Sequence, residues 1–189
     1  MKKIETDRLL LRNFSKADSQ ALLEYLANPR VNCFLEDKVH TIEEATLKAQ
    51  KRKKDDSFVA VCLKGSDYLI GEIFYLKEDP DTYSIGWHFN AQYEGKGYAS
   101  ESVKEFFRYL FTQKGARRVY AYVEEDNYKS QKLCEKLGMR KEGRFVEFIS
   151  FTKYEDGTPK YENTLQYALL KKEWMKNISF NEPEEKVSP

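Results

Sequence analysis

Gln92-Tyr93-Glu94-Gly95-Lys96-Gly97-Tyr98-Ala99-Ser100 is the stretch on which the fold turns. It lies between an apolar, strand-like run at 83–90 and an amphipathic run at 99–114, whose apolar stripe carries Val103, Phe106, Phe107 and Leu110. Glycine reaches backbone conformations and close approaches denied to other residues, so Gly95 and Gly97 shape a tight turn into the helix. The unpaired N–H groups of a helix start, reinforced by the helix dipole, then form a cradle for an anion. In physical terms this is a pyrophosphate site. Two familiar phosphate loops do not fit it. A dinucleotide fingerprint needs glycine or alanine three residues after Gly97, where Ser100 stands. A P-loop needs Ser or Thr directly after Gly-Lys, and Gly97 follows Lys96.

Upstream of the cradle, apolar runs at 58–62, 68–76 and 83–90 are separated by the turns Lys64-Gly65-Ser66-Asp67 and Asp79-Pro80-Asp81, a pattern that predicts an antiparallel meander. Two helices precede it. The first follows the cap Ser15, with Asp18 three residues on and Leu22, Leu23 and Leu26 on one face, and closes at Pro29. The second opens at Thr41, with Glu44 at capping-box spacing, and runs to about residue 52. A short strand is expected at 8–12. Downstream come a strand at 118–123, a helix at 130–137, a strand at 140–151, a turn at Asp156-Gly157 and a strand at 165–170. The expectation is an α/β (α+β) fold: one domain over 1–178, with a mixed, mostly antiparallel sheet of six to seven strands and about four helices. Residues 179–189 read as a flexible tail.

Composition narrows the function. A chain of 189 residues is one domain of ordinary size, and 32 Lys plus Arg against 31 Asp plus Glu leave a net charge of +1. Phosphate-dominated binding shows as a basic excess, so no nucleic acid is required as a partner. The cations Lys48, Lys51, Arg52, Lys53 and Lys54 crowd a helix C-terminus, where they complement its dipole. No apolar stretch is long enough to span a membrane, and no apolar core follows Lys2 and Lys3 as in a secretory leader. Cys33, Cys62 and Cys134 are widely spaced, which argues against a disulfide framework and against a metal site. The expected setting is the cytoplasm.

A second motif, Asn127-Tyr128-Lys129-Ser130-Gln131-Lys132-Leu133-Cys134-Glu135-Lys136-Leu137-Gly138, follows a strand, forms a helix and ends on a good C-cap glycine. Asn127 is placed to cap that helix; with Ser130 it is also placed to line a groove beside the glycine cradle. Through these two motifs the chain resembles the GNAT superfamily, the Gcn5-related N-acetyltransferases. Gln92, Gly95 and Gly97 match its Gln/Arg-x-x-Gly-x-Gly/Ala signature, and Asn127, Ser130, Leu133, Glu135, Lys136, Leu137 and Gly138 match its Asn-x-x-Ser-x-x-Leu-x-Glu-Lys-Leu-Gly pattern. The opening Glu5-Thr6-Asp7-Arg8-Leu9-Leu10-Leu11-Arg12 and the triplet Glu142-Gly143-Arg144 look like the RimJ/RimL-like ribosomal-protein N-acetyltransferase branch. The resemblance spans roughly residues 4–175.

It implies an acetyl-CoA-dependent N-acetyltransferase, with no metal and with the cofactor lying in a sheet splayed at its middle. By the same resemblance the cofactor-binding residues are Gln92, Tyr93, Glu94, Gly95, Lys96, Gly97, Tyr98 and Ala99, through their backbone amides, together with Asn127 and Ser130. The strand at 85–89 would hold the pantetheine arm and polarise the thioester carbonyl through a backbone N–H, an oxyanion-hole effect that needs no particular side chain.

Attack on a thioester requires a neutral amine, hence a general base, and the leaving thiolate benefits from a general acid. Many family members supply the acid from a Tyr in Leu-Tyr-Glu, but this chain has Leu133-Cys134-Glu135. Ser130, one helical turn earlier, is the substitute the branch suggests. A lone Cys134 within an amphipathic helix is a small core hydrophobe before it is a nucleophile. Three residues are candidates for the base: Glu72 within an apolar strand, His88 on the strand carrying the thioester contacts, and Glu147 after Gly143. Each also fits a plain structural place on a sheet surface, and a water chain could serve instead. The acceptor is a protein N-terminal amine or a small amine. A homodimer through the apolar C-terminal strands is left open, as is the alternative of a non-catalytic acyl-CoA-binding domain on the same fold.

Overall fold

The computed structural model describes residues 2–179. Its sheet has eight strands: β1 (Ile4–Glu5), β2 (Leu9–Arg12), β3 (Phe58–Leu63), β4 (Leu69–Glu78), β5 (Thr82–Phe89), β6 (Arg118–Glu124), β7 (Arg140–Lys153) and β8 (Pro159–Leu170). They are ordered β1-β2-β3-β4-β5-β6-β8-β7. The helices are α1 (Ser19–Leu26), α2 (Ile42–Lys53), α3 (Tyr98–Thr112), α4 (Tyr128–Lys136) and α5 (Lys171–Ser179), with 3-10 turns at Lys16–Asp18, Asn32–Asp37 and Ala91–Tyr93.

The α/β architecture and the β3-β4-β5 meander are as expected, and the sheet is antiparallel everywhere except between β5 and β6. Two counts are corrected. The sheet has eight strands where six to seven were expected, because the two-residue β1 pairs with β2 too briefly to leave a periodic signal. A fifth α-helix, α5, follows β8 without a break. Its opening Lys171-Lys172-Glu173 gives no apolar stripe, and it docks chiefly through Trp174 on Phe111, with ring centroids 5.1 Å apart. Of the expected tail, only Ser179 falls within the described residues.

Strand alternation feeds two cores. In β3, Val59 and Val61 face α3, where Val103, Phe106, Phe107 and Leu110 are fully or almost fully buried. Ala60 and Cys62 face the other way, onto Leu22 and Leu26 of α1 and Ala45 and Ala49 of α2. Burying each large apolar side chain contributes roughly 1.5–3 kcal/mol. The cap read at Thr41 is present, its Oγ1 accepting from the Glu44 amide at 3.2 Å; the Glu44 carboxylate returns to the His40 amide, one residue earlier than a capping box would have it. The basic end of α2 is used inside the protein: Lys48 and Arg52 both reach Asp37, and Arg52 is buried.

The feature that matters for function lies between β5 and β6. They pair in parallel only at Thr82–Arg118, Tyr83–Val119 and Ser84–Tyr120. Beyond Ser84, β5 stays tied to β4 as far as the Gly71–Phe89 pair, and β6 stays tied to β8 as far as Glu124–Thr164. Each strand keeps its outer neighbour while the two part from each other, so the sheet opens as a wedge. This is the expected splay.

Candidate active site

The cradle sits at the wide end of the wedge. Asn90, buried at the end of β5, caps the turn through Oδ1, which accepts from the Gln92 amide at 3.0 Å, while its Nδ2 donates to Glu24. The Tyr93 and Glu94 amides donate to the Asn90 and Ala91 carbonyls. The amides of Gln92, Tyr93 and Glu94, expected to face the pyrophosphate, are therefore used within the 3-10 turn. From Gly95 to Ser100 the situation reverses: none of these amides donates to a described residue, and the first intrahelical bond is Glu101 N–H to the Gly97 carbonyl. Gly95 and Gly97 have φ of 75° and 80°, conformations that favour glycine, and a Cβ at Gly95 would meet nothing within 4 Å. A row of unsatisfied donors over open space at the start of a fifteen-residue helix fits an anion such as a pyrophosphate.

Cations surround the cradle. Arg8 donates to the Lys96 carbonyl at 3.0 Å, pairs with Glu101 and lies over the Tyr98 ring. Glu94 is held between Arg30 at 2.7 Å and Lys129 at 2.5 Å, and these bonds hold its carboxyl below the usual range.

Between the strands lies a cleft of about 430 Å³. On the α3–α4 side it is lined by Trp87, Ala121, Val123, Asn127 and Ser130; on the opposite side by Cys33, Phe34, Phe74, Tyr122 and Glu124. Asn127 Oδ1 accepts from the Ser130 amide at 3.1 Å and so starts α4 at the cleft edge. Across the opening, the Trp87 indole Nε1 donates to Ser130 Oγ at 3.3 Å. Among the described residues the Ser130 hydroxyl has no acceptor for its own proton, which leaves it free to donate. Cys134 is fully buried, and burial pushes its thiol up to about 12, which leaves it a core residue.

The three proposed bases fall elsewhere. Glu72 and His88 are cross-strand partners on the α1–α2 face, both buried. Phe34 lies stacked on the His88 ring, centroids 4.1 Å apart, and Tyr25 meets it edge-on. Burial and then Arg52 push His88 down to about 4; burial pushes Glu72 up to about 7 against the opposing pull of Arg52, whose Nη1 is 2.9 Å away without an aligned hydrogen. Neither residue lines the cleft. Glu147 sits exposed in a bulge of β7 with φ of 49°, its amide donating to Asn163 Oδ1, and it too is outside the lining. The charged side chain that does line the cleft is Glu124, which the sequence reading missed. It ends β6, is 7% exposed, and accepts from the Cys33 amide at 2.8 Å. A carboxylate at a strand end looks solvated in sequence; only the departure of β5 and the packing of residues 32–37 against it turn it inward.

Comparison with known proteins bears on this geometry. The acetyltransferase (GNAT) domain family matches residues 8–140. An uncharacterised N-acetyltransferase of Bacillus subtilis, YnaD, is 37% identical over 90% of this chain and 98% of its own length. The chain belongs to the GNAT acetyltransferase family. As a GNAT protein it is an acetyltransferase, and transfer to an amine is the chemistry its relatives are named for. A GNAT acetyltransferase crystal structure from Bacillus anthracis superposes with a TM-score of 0.80 at 31% identity, covering 90% of this chain and 99% of that one. The spermidine N-acetyltransferase of Vibrio cholerae, crystallised with CoA and spermine, shares the GNAT fold at a TM-score of 0.71 and 20% identity, over 90% of this chain and 99% of its own. Among the described residues no helix is long and apolar enough to cross a membrane, and no cluster of His, Cys, Asp and Glu is placed to hold a metal.

Proposed function

We propose that this GNAT protein transfers the acetyl group of acetyl-CoA directly to a primary amine within a ternary complex. The pyrophosphate is held by the free amides from Gly95 to Ser100, and the pantetheine arm runs into the wedge along the unpaired edge of β5 at Ile85–Phe89. A backbone N–H of that edge polarises the thioester carbonyl, and its worth is high because the cleft walls exclude water. Ser130 supplies a proton to the departing thiolate. The observation that carries the reading is the Trp87–Ser130 contact at the mouth of a wedge that opens beside a row of unsatisfied helix-start amides.

Cys134 is buried, and the thiol of Cys33, which does line the cleft, is pushed up by burial and by its contact with Glu124, so neither is poised as the thiolate that a two-step exchange needs, which favours direct transfer. Initial rates measured over a grid of acetyl-CoA and amine concentrations separate the two routes. Direct transfer gives intersecting double-reciprocal lines; parallel lines would require an acetyl-enzyme and would remove this proposal.

A further inference from the structure

The acceptor side of the cleft has a specific chemical character. Its walls are the rings of Phe34, Phe74 and Tyr122, and Glu124 is the one charged residue among all those that line the cleft. No cation of the described residues pairs with that carboxylate; its one oxygen with a backbone partner accepts from the Cys33 amide. Of the acidic groups nearby, Asp37 is paired with Lys48 and Arg52, and Glu162, which accepts from Asn32, stands outside the lining. Outside the mouth, the apolar surface continues through Phe145 and Phe148, whose rings lie 5.9 and 5.5 Å from that of Tyr122.

Resting on the acetyl-transfer reading above, we infer that the acceptor is a small monoamine, one primary ammonium on an aromatic or branched apolar body, anchored by Glu124. A buried carboxylate without a cation is costly, and a substrate ammonium relieves that cost while the rings around it add cation–π attraction. A polyamine would bring a second ammonium and find no second carboxylate in the cleft lining. An amino acid would bring a carboxylate and find no Lys or Arg in the lining. In the reaction, Glu124 takes one proton from the ammonium, the freed lone pair forms the N–C bond, and the C–S bond breaks with its electrons on sulfur. Of the three ammonium protons one stays on the amide, one passes through Glu124 to solvent, and one balances the proton that Ser130 gives the thiolate.

The test is a comparison on the full-length protein with acetyl-CoA, following thiol release with 2-phenylethylamine, isoamylamine, spermidine, lysine and a short Ala-initiated peptide. The two monoamines are expected to exceed the others in kcat/KM by about tenfold or more, the scale of a charge-assisted bond gained or left unmade. Glu124→Gln keeps an acceptor for the Cys33 amide but removes the charge; it is expected to lower kcat/KM for 2-phenylethylamine by about tenfold to a hundredfold, with the Kd for acetyl-CoA unchanged. Preference for spermidine, lysine or the peptide, or turnover of none of the amines by a protein that binds acetyl-CoA, overturns the acceptor class and leaves the cofactor reading standing. Failure to bind acetyl-CoA at all overturns the underlying reading instead. The comparison on the unaltered chain holds whether or not the variant folds.

Discussion

Trp87 Nε1 and Ser130 Oγ are 3.3 Å apart, joining β5 to α4 across the opening between β5 and β6. The bond does two things. It ties the Ser130 side chain to the cleft edge, and it leaves the hydroxyl proton free for the role proposed above.

Ser130→Ala is therefore expected to lower kcat by about tenfold to a hundredfold, the lower part of the range for a general acid because a thiol is an acidic leaving group. The KM for acetyl-CoA and the melting temperature should hardly move. Trp87→Phe removes the donor and leaves the hydroxyl, so its loss in kcat should be smaller. Steady-state kinetics on both variants check this order; equal kcat in Ser130→Ala and the parent would remove Ser130 from the proton transfer.

Gly97→Glu attacks the cradle at a φ of 80°, where an L-residue costs about 1–2 kcal/mol, and it sets a carboxylate against the anion. Its Cβ has room, the nearest atom being an Arg8 nitrogen at 3.5 Å, so the domain is expected to fold. Calorimetric titration should show acetyl-CoA affinity reduced by at least about a hundredfold, as for losing several amide contacts to a charged group.

Gly86 on β5 matters for a different reason. A Cβ there would lie 2.1 Å from Phe74 Cζ, so the missing side chain is what lets the Phe74 ring lie against the strand and wall the cleft. Gly86→Ala is expected to destabilise the protein by about 1–3 kcal/mol through overpacking, or to push the ring into the cleft and raise the acceptor KM. Thermal melts and acceptor kinetics together register either outcome.

The pH dependence of stability should carry the signature of His88. Burial lowers its folded value to about 4 from 6.5, so between those limits the unfolded chain binds more protons and stability rises with pH. The contribution is complete above pH 6.5 and is lost as pH falls toward 4. Glu72, raised to about 7, acts in the opposite direction between 4.5 and 7, which makes the parent profile a difference of two slopes. His88→Phe keeps a ring to stack on Phe34 and removes one slope; its denaturation free energy should fall less steeply on acidification by an amount on the order of 1–3 kcal/mol across the window.

Much of this was legible before the structure. The Gly95/Gly97 turn, the Thr41 cap and the Asn127 cap are local chemistry, and local chemistry is written in contiguous residues. The meander was legible because each strand meets the next along the chain. The missing parts are non-local. The Gln92–Glu94 amides look free in sequence, yet the turn consumes them because Asn90 is buried and aimed back at it. Glu72 and His88 have residue types suited to catalysis, but strand alternation puts both on the α1–α2 face, where Phe34 stacks on His88. Glu124 becomes visible only when β6, paired out of chain order with β8, is seen to part from β5.

The most direct measurement is thiol release from acetyl-CoA by the purified chain, with and without 2-phenylethylamine, alongside mass spectrometry of the amine. The account predicts release that depends on the amine, matched by one acetyl group on each amine consumed. Release independent of the amine, or none from a protein saturated with both compounds, would contradict it.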